Sequence, residues 1–389
     1  MLCTDLGVRV PGDKGASMHL MSITSAFAAV GHDVQLIGVA GHEAPPSTFS
    51  SALAETHLLA HPGRSEGLQR ELNKLSFVEH VLEHCSPALQ RFDPHVIYER
   101  LSLFGSAGRQ LVETLPGTRH VLEVNALLAE EDAAWRGLHL AELATTVERS
   151  VLTDADLAVA VSAEVARKIR AAAPDAHCTV VENGAEVERF RHLPGRAEAR
   201  RHLALPPEAT IAAFIGALRP WHGVDIAINA VARTPLVHLA VAGDGPVRAD
   251  LHDLANTLGV LDRVHFLGQR GHDDVVTCLA AADMALAPYP AIDGFSFSPL
   301  KLYEYLAAGT PVIASAIGQI SAVLGNGRFG TLVPAGDTDA LAAAMLRVPL
   351  DRACAERADL GRDHALTHHG WDDRARRIAE LVEAADAMA

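Results

Sequence analysis

At 389 residues, 49% of them hydrophobic and 21% charged, the chain has the composition of a soluble globular protein and the length of two domains. A formal net charge of −15 excludes a general nucleic-acid binder, whose face must be basic, and no apolar run approaches the roughly 18 residues of a membrane span. Five scattered cysteines without CxxC spacing exclude a disulfide frame. Reduced thiols, with an N-terminus lacking basic and apolar signal regions, give a cytoplasmic expectation.

The chain opens oddly. Only residues 1–4 precede Asp5-Leu6-Gly7, so the first strand of a βα unit is either unusually short or begins upstream of Met1. From there, strand-like runs near 33–39, 95–98, 120–124 and 156–161 alternate with helix-period segments near 16–30, 68–85 and 138–152. After a Pro-Gly turn within 191–201, further strands are expected at 210–216, 237–242, 263–267, 284–288 and 311–314, most followed by a helical pattern. This alternation predicts α/β architecture, with parallel sheets covered by helices on both faces. Two Rossmann-like domains are expected, 1–190 and 191–370, facing across a cleft at the carboxyl ends of their strands. The last helix, 371–389, is expected to cross back onto the first domain. The twenty-one histidines show no HxH or HExxH spacing, and His368-His369 reads as an exposed loop, so no metal is expected.

The most informative stretch is Phe295 to Ser315, FSFSPLKLYEYLAAGTPVIAS. Ser298 suits an N-cap and Pro299 the first helical position, and a helix beginning there offers free backbone N–H groups to a phosphate. Lys301 and Glu304 are three residues apart and share a face, which on its own equally suits a surface ion pair.

This stretch resembles the signature of the retaining GT-B glycosyltransferases of family 4, in the variant carrying an SPLKxxEYxAxGxPV segment. Supporting segments occur in the family's order: Val181-Glu182-Asn183-Gly184 followed by Phe190, then Phe214-Ile215-Gly216-Ala217-Leu218-Arg219-Pro220-Trp221-His222-Gly223. Ala242-Gly243-Asp244-Gly245-Pro246, Val264-His265-Phe266-Leu267-Gly268 and Ala281-Ala282-Asp283 follow. In the first half, Gly12-Asp13-Lys14-Gly15 opens a helix as the family's glycine-rich loop does; glycines let a backbone approach a diphosphate closely.

The resemblance implies a GT-B enzyme that moves a sugar, with retention, from a UDP- or GDP-sugar to a small-molecule or glycan acceptor without a metal or other cofactor. It implies Glu304 at the donor ribose, Ser298, Pro299, Leu300 and Lys301 at the diphosphate and sugar, and Arg270 at the base. Lys14 and Gly15 would belong to the glycine-rich loop. Two departures stand out. The first glutamate of the family's E-x7-E falls on Ser296, and its Arg…Lys pair falls on Ala217 and His222. Arg219, between these last two, is the preferred electrostatic catalyst, with Lys301 contributing. Asn125, Glu123 and Glu99, at the ends of predicted strands, are the acceptor-side candidates; Tyr98 and Arg100 flank Glu99, and Glu130 and Glu131 follow as capping charges. The departures leave room for a coupling enzyme or epimerase working on a nucleotide sugar with an amine or thiol acceptor, and for a non-catalytic sugar-nucleotide-binding protein. Monomer and homodimer both remain open, and the Ala- and Arg-rich composition suits a bacterial secondary-metabolite or cell-envelope pathway.

Overall fold

The computed structural model describes residues 1–386 apart from Asp13, Gly294, Ser296, Phe297 and Pro299, with only the backbone described at Thr48, Trp135, His272, Asp273, Ala385 and Asp386. The chain forms two compact α/β units. One holds Met1–Asn183, Ser298 and the final helix Trp371–Asp386; the other holds Gly184–Phe295 and the stretch from Leu300 to Gly370. The passage between them falls before the Pro-Gly turn at 194–195, because the 3-10 turn Val187–Phe190 packs on the helices of the second unit.

The first unit is built on eight parallel strands: β1 (Leu2–Cys3), β2 (Arg9–Val10), β3 (Gln35–Ala40), β4 (Glu55–Leu59), β5 (Val96–Arg100), β6 (Arg119–Val124), β7 (Leu157–Ala160) and β8 (Cys178–Val180). The order β3-β1-β5-β6-β7-β8 runs across the sheet, with β2 and β4 also on β3. Within the given sequence the opening strand is Leu2–Cys3 and lies mid-sheet, where Leu2 pairs with both Ile37 and Glu99. Buried strands on both faces read as unbroken apolar runs, as in LAVA of β7. The strands missed in the sequence are β2, β4, β8 and β14 (Thr331–Val333). Two or three residues give no period to read, and β4 (ETHLL) is polar and only half-buried.

Pairing of Arg100 with Glu123 and of Tyr98 with Val121 puts Tyr98, Arg100 and Glu123 on one sheet face; Glu99 and His120 take the other. The first face is covered by the helix Gly15–Ala29, which ends at Gly31 with φ 101°. Onto that helix packs Trp371–Asp386, whose buried Trp371, Ala375 and Ile378 follow helical spacing. The other face carries the helix Gly67–Phe92, longer than the expected 68–85 because it continues past Pro87 to Phe92.

The second sheet contains β9 (Thr210–Ile215), β10 (Val237–Ala242), β11 (Val264–Gly268), β12 (Met284–Ala287), β13 (Val312–Ser315) and β14, in the order β11-β10-β9-β12-β13-β14, all parallel. Winding therefore reverses between β9 and β12, the switch point where open α/β sheets bind ligands. His368 and His369, expected in an exposed loop, do not form one. His368 ends the helix Arg352–His368, and His369 is buried, its ring 4.9 Å from that of Tyr303 and its carbonyl accepting the Ala185 N–H. All five cysteines are free thiols. Among the described residues, no helix is long and apolar enough to cross a membrane, and no group of three metal-ligating side chains converges.

Candidate functional site

In the second unit the loops leaving β9, β10 and β11 are joined through their backbones. Gly216 N donates to Ala242 O (2.9 Å), Gly243 N to Gly268 O (2.8 Å) and Leu218 N to Asp244 O (2.9 Å). Only glycine fits where they touch. A Cβ on Gly243 (φ +148°) would lie 2.0 Å from Gly216 O, and one on Gly245 2.2 Å from Leu218 O. The result is a side-chain-free floor at the carboxyl end of the central strands, the surface a diphosphate needs for close approach.

Above that floor stands the helix Leu300–Ala308. Its sequence LKLYEYLAA buries Leu302, Tyr303, Tyr305, Leu306, Ala307 and Ala308, leaving Leu300, Lys301 and Glu304 partly exposed. Gly309 (φ +67°) ends it and Pro311 follows, a common helix stop. Lys301 does not form the surface ion pair open to it from sequence. Its Nζ is buried without a hydrogen-bond partner, 4.1 Å from the centroid of the Phe214 ring and 5.6 Å from that of Tyr289. A Cβ on Gly216 would lie 3.0 Å from that nitrogen. Burial lowers the Lys301 ammonium to about 7 against the pull of Glu304. An unpaired buried cation is costly, and here aromatic faces offset only part of the lost hydration.

Glu304 lies in the next turn. Burial, with repulsion from Glu186, raises its carboxyl to about 7, opposed by Lys301 and Arg189. His222 is neutral. Burial and the neighbouring Lys301 push its ring down to about 3, and Nδ1 meets the Ala217 carbonyl at 2.5 Å, which fixes the Nδ1–H tautomer. Arg219 is exposed, its guanidinium carbon 5.8 Å from the centroid of the Trp221 ring. Arg270 follows β11, with Asp274 3.8 Å away and its own Nε buried without a partner. The Ser298 carbonyl accepts from Asn183 Nδ2 at 3.3 Å, tying the Val-Glu-Asn-Gly segment to the start of the signature. Leu300 is the first residue of the helix; Pro299 and Ser296 lie outside the described residues. Sequence reasoning missed Phe214 and Tyr289, whose aromatic faces look like ordinary core in a strand and its continuation.

In the first unit Glu123 is the centre of a closed network. It accepts from His19 Nε2 (2.9 Å), Tyr98 Oη (2.7 Å), Arg100 (2.8 Å) and Asn125 Nδ2 (2.5 Å). Burial alone would raise its carboxyl, but His19, Arg100 and Tyr98 outweigh that and hold it well below the usual carboxylate range. His19, absent from the sequence candidates, comes from the covering helix, and its ring meets Trp371 edge-on at 4.8 Å. Asn125 is partly exposed at the strand end. Glu99 lies on the opposite face. It pairs with His120 at 2.9 Å, both 1% exposed, and Gly108 leaves the room for them, since a Cβ there would lie 2.4 Å from Glu99 Oε2. Lys14 precedes the first helix and Gly15 starts it, with open space around a Cβ at Gly15. Glu130 pairs with Lys168 at 3.1 Å, and Glu131 sits beside Asp132 and Arg136.

Two family models cover most of the chain. The one described as "Glycosyl transferases group 1" matches residues 195–364, and the "Glycosyl transferase 4-like domain" matches residues 14–184. The chain belongs to this family of glycosyltransferases. A D-inositol 3-phosphate glycosyltransferase from Mycobacterium marinum is 34% identical over 271 residues, 66% of this chain and 55% of the relative. The protein of the same name from Streptomyces bingchenggensis is 34% identical over 223 residues, 54% of this chain and 48% of the relative. The chain thus spans about half the length of these curated relatives. Among solved structures, sucrose-phosphate synthase from Thermosynechococcus elongatus aligns with TM-score 0.81 at 22% identity, covering 100% of this chain and 99% of that one. Anabaena HepE in complex with UDP-glucose aligns with TM-score 0.77 at 20% identity, covering 98% and 99%. The fold is therefore GT-B, two Rossmann-like domains of parallel sheet and helices.

Proposed function

We propose that this chain is a retaining glycosyltransferase that takes a sugar from a UDP- or GDP-sugar and passes it to a small-molecule or glycan acceptor, with no metal. The observation that carries this reading is the buried, unpartnered ammonium of Lys301 over the glycine floor. A buried cation kept without an acceptor is a cost to the empty protein, and a diphosphate supplies the missing partner. Glu304, one turn on, is the group for the ribose, since a carboxylate accepts from both hydroxyls of a vicinal diol. Leu300 and the first turn offer backbone N–H groups to the phosphates.

In the proposed reaction the bond from the anomeric carbon to the diphosphate oxygen breaks while the acceptor oxygen bonds to that carbon on the same face. The acceptor's proton passes to the departing phosphate oxygen. Negative charge grows on the leaving group, and Lys301 and Arg219 are the cations this reading assigns to neutralise it. His222, uncharged with its ring at about 3, supplies none. That neutrality also favours a second reading, a nucleotide-sugar enzyme with an amine or thiol acceptor, whose more nucleophilic atom asks less of the leaving group.

Calorimetric titration of UDP, GDP, dTDP and ADP into the wild type and Glu304→Ala, without metal, tests the proposal. One nucleotide is expected to bind selectively, with a loss of about 1–3 kcal/mol in the variant, the worth of hydrogen bonds to a charged group. A folded protein that binds none of the four overturns it.

A further inference from the structure

The two central strands of the second sheet part before they end. β12 pairs with β9 only through Met284–Ala212 and Ala285–Ala213, whereas its far side stays paired with β13 as far as Ala287. Past the split, the Ile215 N–H and the Leu286 C=O no longer meet each other. Both are met by one side chain: Ile215 N donates to Tyr305 Oη at 2.9 Å, and that hydroxyl lies 3.4 Å from Leu286 O. Tyr305 is fully buried and four residues after Lys301, on the same helix face. The residue after Ile215 is Gly216, the one against which Lys301 Nζ rests.

We propose that Tyr305 is a positioning residue, whose hydroxyl replaces the ladder hydrogen bonds lost at the strand split and thereby fixes Lys301 at its height over Gly216 among the rings of Phe214 and Tyr289. A buried strand N–H needs a partner, and the tyrosine oxygen supplies it at a separation that keeps the crevice open. Without the hydroxyl, the strands close or the helix shifts, and Lys301 leaves its aromatic pocket for water. Among the described residues, the charged or titratable groups facing Lys301 are Glu304 on its own helix, Tyr289 after β12 and His222 on the loop after β9, with Arg219 acting in turn on His222. Glu186 and Arg189 act on it through Glu304. Tyr305→Phe removes none of them. The assignment to donor binding rests on the function proposed above; the geometric assignment does not.

The chain has only four lysines, Lys14, Lys74, Lys168 and Lys301, so in carbon-13 lysine-labelled protein Lys301→Arg identifies the Lys301 Cε resonance by its loss. In wild type that resonance is expected to titrate near 7, and in Tyr305→Phe at least one pH unit higher. Tyr303→Phe is the control. It removes an equally buried hydroxyl from the same helix, one that meets Gln319 at 3.3 Å instead, and is expected to leave the titration in place. An unshifted Lys301 in folded Tyr305→Phe overturns the assignment. So does rapid hydrogen exchange of the Ile215 amide in wild type, a measurement that needs no variant to fold. UDP titration of the same proteins reads the donor assignment separately. A moved lysine titration with no nucleotide binding in wild type keeps the positioning role and removes the donor.

Discussion

Each unit places a buried ionisable side chain at the carboxyl end of its central strands, and the two are treated in opposite ways. Glu123 has four donors around it, from His19, Tyr98, Arg100 and Asn125, and its charge is stabilised by the fold itself. Lys301 has two aromatic faces and no acceptor. A satisfied buried charge organises the protein that contains it, whereas an unsatisfied one is poised for something that arrives. Glu123 is thus the group that holds Arg100 and Asn125 at the strand ends.

The comparison breaks most visibly in stability. Glu123→Ala strands Arg100 and His19 and is expected to cost about 3–5 kcal/mol, the usual penalty for removing one partner of a buried ionic network; urea denaturation measures it, and a loss under about 1 kcal/mol removes the contrast. Lys301→Met is expected to do the reverse. It should leave the urea midpoint unchanged or higher while weakening nucleoside diphosphate binding by about 2–3 kcal/mol, the scale of lost charge-assisted hydrogen bonds.

The pH dependence sharpens the same point. Lys301 has a folded value of about 7 against an ordinary 10.5, so between these the unfolded chain binds more protons, and its contribution makes stability rise with pH across that window. Glu304, raised from 4.5 to about 7, binds more protons when folded, so its contribution falls as pH climbs from 4.5 to 7. Together they place a shallow local minimum near pH 7. Lys301→Met is expected to abolish the alkaline rise and keep the acid-side fall, as read from urea midpoints across the range. The smallest expected effect belongs to Arg219→Ala. The side chain is exposed, so stability should stay within about 0.5 kcal/mol, whereas turnover of a sugar donor carrying the nucleotide that calorimetry selects should drop at unchanged donor affinity.

Long, strongly periodic elements were legible in the sequence because burial writes itself into apolar runs. β9, β10 and β13 match their expected spans within a residue or two, and the signature segment locates its helix. Short pairings were not legible. β2, β8 and β14 owe their existence to neighbours that offer a ladder, and nothing in two or three residues announces that. The site was half legible. Lys301 and Glu304 were named through the family resemblance, spacing giving only their shared face, and nothing showed that the lysine stands apart from any acceptor, since that depends on Phe214, Gly216 and Tyr289, which lie 12 or more residues away in sequence. Glu123 was found at its strand end, but its partner His19 comes from a helix about a hundred residues earlier, and Glu99 was placed with it although alternation sends the two to opposite faces.

The glycine floor also bears on how this protein can change. A Cβ on Gly243 or Gly245 would collide with the backbone of the loop after β9, and one on Gly216 (φ +137°) would press on the Lys301 side chain, so no substitution among the three is free of strain. Under the function proposed above, a lineage that altered its nucleotide preference would do so at the rim, around Arg270, Glu304 and the loop after β9, while the floor stayed fixed. For anyone building a library to redirect the donor, those three positions are best left out of the randomised set, and the codons saved are better spent on the rim.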